Sequence, residues 1–214
     1  MSQKDLKIPE ATVQRLSIYL RCLENLEKEG QKIVSSYELA SNCGYKAAQI
    51  RKDFAYFGEL GVRGVGYYIS DLSNDLKNIL GLSSIWDVAL VGAGHLGTAL
   101  IAYEGFVEYG FSIGVVFDTC PEKVSEDLLA GRGVYHVSRM GEILKEKKIR
   151  IAILAVPADS AQEVTDLLVK AGVRAILNFA PVKLIASKGV KIRDVDLAVD
   201  LGVLSFFLTG RRKT

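Results

Sequence analysis

Ile85-Trp86-Asp87-Val88-Ala89-Leu90-Val91-Gly92-Ala93-Gly94-His95-Leu96-Gly97 is the stretch that decides the fold. Ile85 to Val91 is an apolar, β-branched run of strand type, and it leads directly into Gly-x-Gly-x-x-Gly and then a helical stretch, Thr98 to Tyr109. In the order strand, glycine loop, helix, this motif is a dinucleotide-binding fingerprint. Gly92 serves the tight turn, Gly94 lets the backbone approach a pyrophosphate, and Gly97 lets the helix pack close to the strand. Ala93, His95 and Leu96 complete the loop, whose amides at the helix start hold phosphate.

The residues that follow agree. A second strand, Phe111 to Phe117, ends in Asp118, 21 positions after Gly97, where a ribose-binding acid is expected. A carboxylate there accepts from the ribose hydroxyls and repels a 2′-phosphate, so NAD+/NADH is favoured over the phosphorylated cofactor. Further strands read at 133–137, 150–156 and 174–179, with helices at 138–147 and 159–171, which predicts an α/β, Rossmann-like doubly wound parallel sheet. Val156 and Pro157 after one strand, and Phe179 and Ala180 after another, fall at the carboxyl edge where such sheets bind ligands.

No Ser/His/Asp, Cys/His or metal-ligand cluster is visible, and about 20 residues follow the nucleotide-binding stretch that ends at 194, too few for a substrate domain. His95 lies in the phosphate loop, and His136 reads as a mid-strand core or edge residue. No catalytic residue and no metal site are therefore expected. The cofactor reads as a signal.

Composition shifts upstream of Gly81 to Ser84. There, Pro9 opens an amphipathic helix with Val13, Leu16, Leu20, Leu23 and Leu26 on one face. Ser35-Ser36-Tyr37-Glu38 is a capping box before a short helix ending at Asn42-Cys43-Gly44. A second helix, Lys46 to Phe57, exposes Gln49, Arg51 and Lys52, and a Gly-rich hairpin from Gly58 to Tyr68 carries Arg63 beside Gly64 at its tip. This is the layout of a winged helix-turn-helix. From Tyr45 to Tyr67 the charges are Lys46, Arg51, Lys52 and Arg63 against Asp53 and Glu59, a local basic excess of two.

The whole chain says little about nucleic acid: 27 Lys+Arg against 25 Asp+Glu among 214 residues. Any DNA contact must be local. With 49% hydrophobic and 24% charged residues and four prolines, disorder is excluded as the general state. Neither a signal-peptide pattern nor an apolar run of bilayer length is visible, and Cys22, Cys43 and Cys120 have no paired spacing, so a reduced, cytoplasmic protein is expected. The segment from Val195 to Leu208 is apolar on nearly every side, with Asp196 and Asp200 its only charges. That implies burial against a second subunit, or failing that a terminal core helix within one chain. Arg211-Arg212-Lys213 reads as a solvated tail. The expected division is residues 1–82 for DNA, 83–194 for the nucleotide and 195–214 for a C-terminal dimerisation helix and tail.

Taken together, Pro9-Glu10-Ala11 with Arg15-Leu16, the Ser35-Ser36 capping box, Gln49-Ile50-Arg51-Lys52-Asp53 with Tyr56-Phe57-Gly58, the wing Gly61 to Tyr67, the Gly92 to Gly97 loop and Asp196-Leu197-Ala198 resemble the Rex family of redox-sensing transcriptional repressors. The resemblance runs through essentially the whole chain. It implies a homodimer with swapped C-terminal helices that holds a palindromic double-stranded operator and leaves it when NADH rises. It also implies that Arg51 and Lys52 meet the major groove and phosphates, with Ser35, Ser36, Lys46, Gln49, Arg63, Gly64 and Tyr67 on the DNA face. Tyr103 and the Phe179-Ala180-Pro181 turn would lie near the nicotinamide, and Arg15 and Asp196 would pair or unpair across the dimer. Where some family members carry Phe after that Asp, this chain has Leu197.

Two other classes fit parts of the pattern. An NAD-dependent oxidoreductase with an N-terminal interaction domain would need an acid-base group that is not evident. A CoA- or nucleotide-binding regulatory module of similar sheet topology would bind adenine ligands without preferring NADH, and Asp118 argues weakly against it.

Overall fold

The computed structural model describes residues 8–124 and 132–209, so the basic tail at 211–213 lies outside the described residues. The chain divides into two compact units between Ser84 and Ile85.

In the N-terminal unit, α1 (Glu10–Lys28) begins after the extended Pro9, with Glu10 in its first turn and Lys28 in its last, each placed to suit the helix dipole. Its buried stripe is Leu16, Tyr19, Leu20, Leu23 and Leu26. Val13, expected on that stripe, is 41% exposed, and Tyr19 is the inward residue that the spacing of aliphatic side chains did not reveal. A two-residue strand, β1 (Ile33–Val34), precedes α2 (Ser36–Cys43), which starts with the capping box and ends at Gly44 in the left-handed region, φ 73°.

The next helix, α3 (Ala47–Phe54), stops three residues short of the expected Phe57 because the amides of Tyr56 and Phe57 turn to the carbonyls three residues back. The wing is tighter than a hairpin. Val62 and Gly66 form one antiparallel bridge around Arg63-Gly64-Val65, and β2 (Tyr67–Tyr68) pairs with β1 rather than within the wing. The unit closes with α4 (Ile69–Leu80), which adds Ile69, Leu72 and Leu76 to the core formed by the α1 stripe, Val34, Leu39, Ile50 and Phe54.

The second unit holds β3 (Trp86–Val91), β4 (Phe111–Asp118), β5 (Gly133–His136), β6 (Ile151–Leu154), β7 (Ala175–Asn178) and β8 (Lys191–Asp194) in one six-stranded sheet. The order is β5-β4-β3-β6-β7-β8 and every pair is parallel. In chain order this is third, second, first, fourth, fifth, sixth, the Rossmann arrangement. The strand period of two sorts the core: Val88 and Leu90 join Ile101, Ile113, Val116 and Ile153 on one face. Ala89 and Val91 join Val115, Phe117, Ala152 and Leu154 on the other, under α7 (Met140–Glu146) and α8 (Ala158–Ala171).

Three expectations need correction. The helix read from Thr98 to Tyr109 is two helices, α5 (His95–Ile101) and α6 (Gly105–Glu108), separated by a segment carrying Tyr103. Gly105 is what lets the Tyr103 ring fold back, since a Cβ there would lie 2.5 Å from the Tyr103 hydroxyl. His136 is not mid-strand: it ends the edge strand β5, is exposed, and its Nδ1 accepts from the amide of Ser138 at 3.3 Å to cap the next turn. The sixth strand, β8, was missed because Lys191-Ile192-Arg193-Asp194 has one apolar residue, as an exposed edge strand tolerates.

Candidate functional site

The nucleotide loop lies at the carboxyl ends of β3 and β6, the central pair at which the strand order reverses. Its three glycines are required for different reasons. A Cβ on Gly92 (φ 94°) would run into the carbonyl of Ala155, and one on Gly97 into the carbonyl of Gly92, so both are fixed by backbone packing within the protein. A Cβ on Gly94 would meet nothing within 4 Å. The protein itself has no need of glycine there; a ligand lying against that backbone does. This is the fit expected of a pyrophosphate cradle.

Asp118 is half-buried at the end of β4, and it is already engaged with the loop. The amide of Ala93 donates to its Oδ2 at 2.7 Å and the amide of Cys120 to its Oδ1 at 2.8 Å. An ionised carboxylate has about four acceptor sites, so two amides leave capacity for ribose hydroxyls. Val156 sits beside Gly92, Pro157 caps α8, and Tyr103 is 54% exposed with its ring edge-on to Phe106 at 5.0 Å.

The sequence places Asn178 at the head of the Phe179-Ala180-Pro181 segment but gives it no role. It is fully buried at the end of β7, where its amide nitrogen donates to the carbonyls of Ala180 (3.2 Å) and Val182 (3.0 Å) and to Asp194 Oδ1 (2.8 Å). Its oxygen accepts from the amide of Ala180 at 2.9 Å. One side chain thus shapes the whole Phe179-Ala180-Pro181 turn, and a strand-end Asn before such a turn was the available signal. Beside it, Ala180, Pro181, Lys183, Asp194 and Asp196 line a cleft of about 380 Å³.

On the N-terminal unit, Lys46, Arg51, Lys52, Arg63 and Gly64 are all exposed. Arg51, Ser35, Ser36, Tyr37 and the wing from Gly61 to Tyr67 line an open cleft of about 570 Å³. Ser35 is occupied by the capping box: the Glu38 amide donates to its Oγ at 3.1 Å and the Ser35 amide to Glu38 Oε2 at 2.8 Å. The bond from the Ser35 amide holds the Glu38 carboxyl below the usual carboxylate range. Tyr67 is half-buried, packing edge-on to Phe54 at 5.3 Å. Burial pushes its hydroxyl above the ordinary tyrosine pKa.

Under this surface lies a network built on Asp53, which is 1% exposed although it belongs to α3, the helix that presents Arg51 and Lys52. Arg15 reaches it with two bonds, Nε to Oδ2 at 2.6 Å and Nη2 to Oδ1 at 2.7 Å. Thr12 (3.1 Å), Tyr19 (2.9 Å) and Gln49 (3.0 Å) also donate to it. Burial alone raises the Asp53 pKa, but the bonds from Arg15, Tyr19 and Gln49 outweigh it and hold the carboxyl below its usual range. The structure therefore pairs Arg15 with Asp53 of its own unit, a partner the sequence reading did not foresee, and gives Gln49 an internal role.

Asp196 caps the terminal helix α9 (Leu197–Leu208), accepting from the amides of Ala198 and Val199 at 3.0 and 3.2 Å. Every residue of α9 is exposed, including Leu201 (65%), Phe206 (59%) and Phe207 (73%).

Cys22, Cys43 and Cys120 are free and partly buried. Burial, with the neighbouring Cys22 thiol, pushes the Cys43 thiol well up, away from the reactive thiolate. Among the described residues, no group of His, Cys, Asp and Glu could hold a metal ion, and no helix is long and apolar enough to cross a membrane.

Comparison with known proteins covers nearly the whole chain. Residues 7–55 match a family described as "Putative DNA-binding protein N-terminus", and residues 83–182 one described as "CoA binding domain". The redox-sensing transcriptional repressor Rex of Desulfitobacterium hafniense is 50% identical, over 98% of this chain and 99% of its own. Rex of Pelotomaculum thermopropionicum is also 50% identical, over 97% of each chain. Among solved structures, the Rex-family repressor RSP with NAD+ and operator DNA superposes with a TM-score of 0.88 at 37% identity, covering 94% of this chain and 93% of that one. RSP with NADH gives 0.84 at 35% identity, covering 96% of each.

Proposed function

The chain belongs to the Rex family of redox-sensing transcriptional repressors, and from that premise we propose how its own residues perform the task. It is a DNA-binding repressor that senses NADH against NAD+ and releases its operator when NADH binds. The observation that carries this is the pairing, in one chain, of an exposed basic helix and wing with a glycine cradle whose Gly94 faces open space.

In the nucleotide unit, Gly92, Gly94 and Gly97 with the amides of Ala93, His95 and Leu96 hold the pyrophosphate, and Asp118 accepts from the ribose. The nicotinamide is positively charged when oxidised and neutral when reduced. Tyr103, Phe179 and Ala180, with Val156 and Pro157 at the rim, form an apolar surround that disfavours the charged ring through desolvation. Among the described residues no side chain stands over the cofactor cradle for acid-base work, which supports the reading of the chain as a regulator. The match to a CoA-binding family favours a second reading, a CoA-dependent module, whose adenosine ribose carries a 3′-phosphate that the Asp118 carboxylate would disfavour.

In the DNA unit, Arg51 and Lys52 face the major groove and its phosphates, Lys46, Ser35 and Ser36 flank them, and Arg63 with Gly64 forms the wing tip. Gln49 and Tyr67 position these groups from behind. The protein acts in the cytoplasm as a homodimer: α9 exposes apolar side chains on all sides, and a second subunit, with the helices exchanged, gives them cover. Arg15, held by Asp53 within its own unit, would have to give up part of that grip to pair with Asp196 of the partner subunit as the state changes. NADH shifts the dimer only through unequal affinity for its two arrangements, and moving the recognition helices off the ~34 Å half-site spacing releases the palindrome.

The test is fluorescence anisotropy of a labelled palindromic operator titrated with NADH and then NAD+. NADH should release the duplex at concentrations where NAD+ does not. Equal release by both would sink the charge argument, and release by CoA alone would establish the second reading.

A further inference from the structure

Tyr37 is the second residue of α2 and is 72% exposed, so its ring fills no core. What it meets is Arg51. The guanidinium carbon lies 5.5 Å from the Tyr37 ring centroid, while Nη1 donates to Ser36 Oγ at 2.8 Å. Two adjacent residues at the start of α2 therefore grip a cation projecting from α3: the ring attracts the guanidinium face, and the hydroxyl fixes its rotation. A guanidinium has five N–H donors, and only one is used on Ser36. The others remain for a ligand in the open cleft between helix and wing. A loose arginine loses rotamer freedom when it docks, whereas one already held loses less.

We infer that Tyr37 is a positioning residue for operator recognition: with Ser36 it holds Arg51 in the orientation that reads DNA, and so contributes to specificity without neutralising a phosphate. This rests on the reading of the chain as an operator-binding repressor. Tyr37 lies on α2, outside the basic set on α3 and the wing, which is why charge alone does not reveal it.

The experiment uses the full chain with a labelled palindromic operator and a scrambled duplex of equal length. Tyr37→Leu is expected to weaken operator binding about threefold, the scale of one exposed cation–π contact. Scrambled-duplex affinity and the slope of binding against salt should stay unchanged, because no cation is removed. Tyr37→Phe should bind as the parent does. In an Arg51→Ala background, at low salt where binding persists, Tyr37→Leu should have no further effect. A loss in Tyr37→Phe equal to that in Tyr37→Leu would assign the effect to a hydroxyl contact with DNA and overturn the inference. So would an undiminished Tyr37→Leu effect without Arg51, full operator affinity in Tyr37→Leu, or a lowered melting temperature with equal losses on both duplexes. Failure of the unmutated chain to bind any palindrome while still binding NADH would instead overturn the repressor reading.

Discussion

The recognition helix α3 and the terminal helix α9 are opposites in how they are completed. In α3 the buried carboxylate of Asp53 is matched by Thr12, Arg15, Tyr19 and Gln49, and Arg51 on the surface is held by Ser36 and Tyr37. In α9 an N-cap satisfies the first amides, yet Leu197 through Leu208 are exposed on every side. The first helix is finished within its own chain. The second is left uncovered within the one chain, and apolar exposure on that scale is what the proposed dimer would bury. A repressor needs both: a reading head rigid enough to keep its specificity, and a joint whose geometry can differ between two states.

The largest expected effect attacks the unfinished helix. Leu201→Glu with Phe206→Glu should turn the dimer into a monomer in analytical ultracentrifugation and weaken operator binding by roughly a thousandfold, since a half-site contact retains only part of the affinity. A dimer that survives both charges would mean that α9 is not the joint. Next comes the reading head. Arg51→Ala should cost about a hundredfold in operator affinity, the upper range for one base-reading arginine, with the NADH titration unchanged. Loss of both would make Arg51 structural.

Smaller is the effect of the internal network. Asp53→Asn should destabilise the N-terminal unit by about 2 kcal/mol, because Arg15 loses its charge partner, as read by the first transition in urea. The pH dependence has a definite sign. Asp53 has a depressed folded pKa, so its stabilisation is present above the unfolded carboxylate value of about 4 and is lost as pH falls through the lower folded value. The Asn variant should lack this acid-sensitive component. The smallest effect separates two glycines of one loop. Gly94→Ala should keep the fold and melting temperature but weaken NADH binding about tenfold, as lost backbone approach implies. Gly97→Ala should unsettle the fold itself, because its Cβ would meet the Gly92 carbonyl.

The contrast also explains what could be read without coordinates. Patterns local in sequence were legible: the capping box at Ser35, the glycine loop after β3, and the all-round apolar character of α9. What escaped depends on distant partners. Tyr19 and Asp53 lie 34 positions apart and acquire meaning from each other. Arg15, expected to meet Asp196 across a dimer, has its partner Asp53 38 positions away in its own unit. Tyr37 looks like ordinary helix surface unless Arg51 is known to lie across it, and β8 carries almost no apolar signal because it is an edge. For the nucleotide site the motif located Gly92 to Gly97 and Asp118, but not Asn178, whose importance lies in the four bonds it makes around the next turn.

The bonds from Ala93 and Cys120 to Asp118 also bear on how quickly the sensor can respond. If the dinucleotide seats on this loop as proposed, a loop braced beforehand has little ordering left to do, so differences in affinity should fall mostly on dissociation. The time for which the switch remembers a burst of reducing power is then set by how long the dinucleotide stays. Loosening that brace would lengthen the delay before the sensor registers the burst, while its record of one already past would fade sooner.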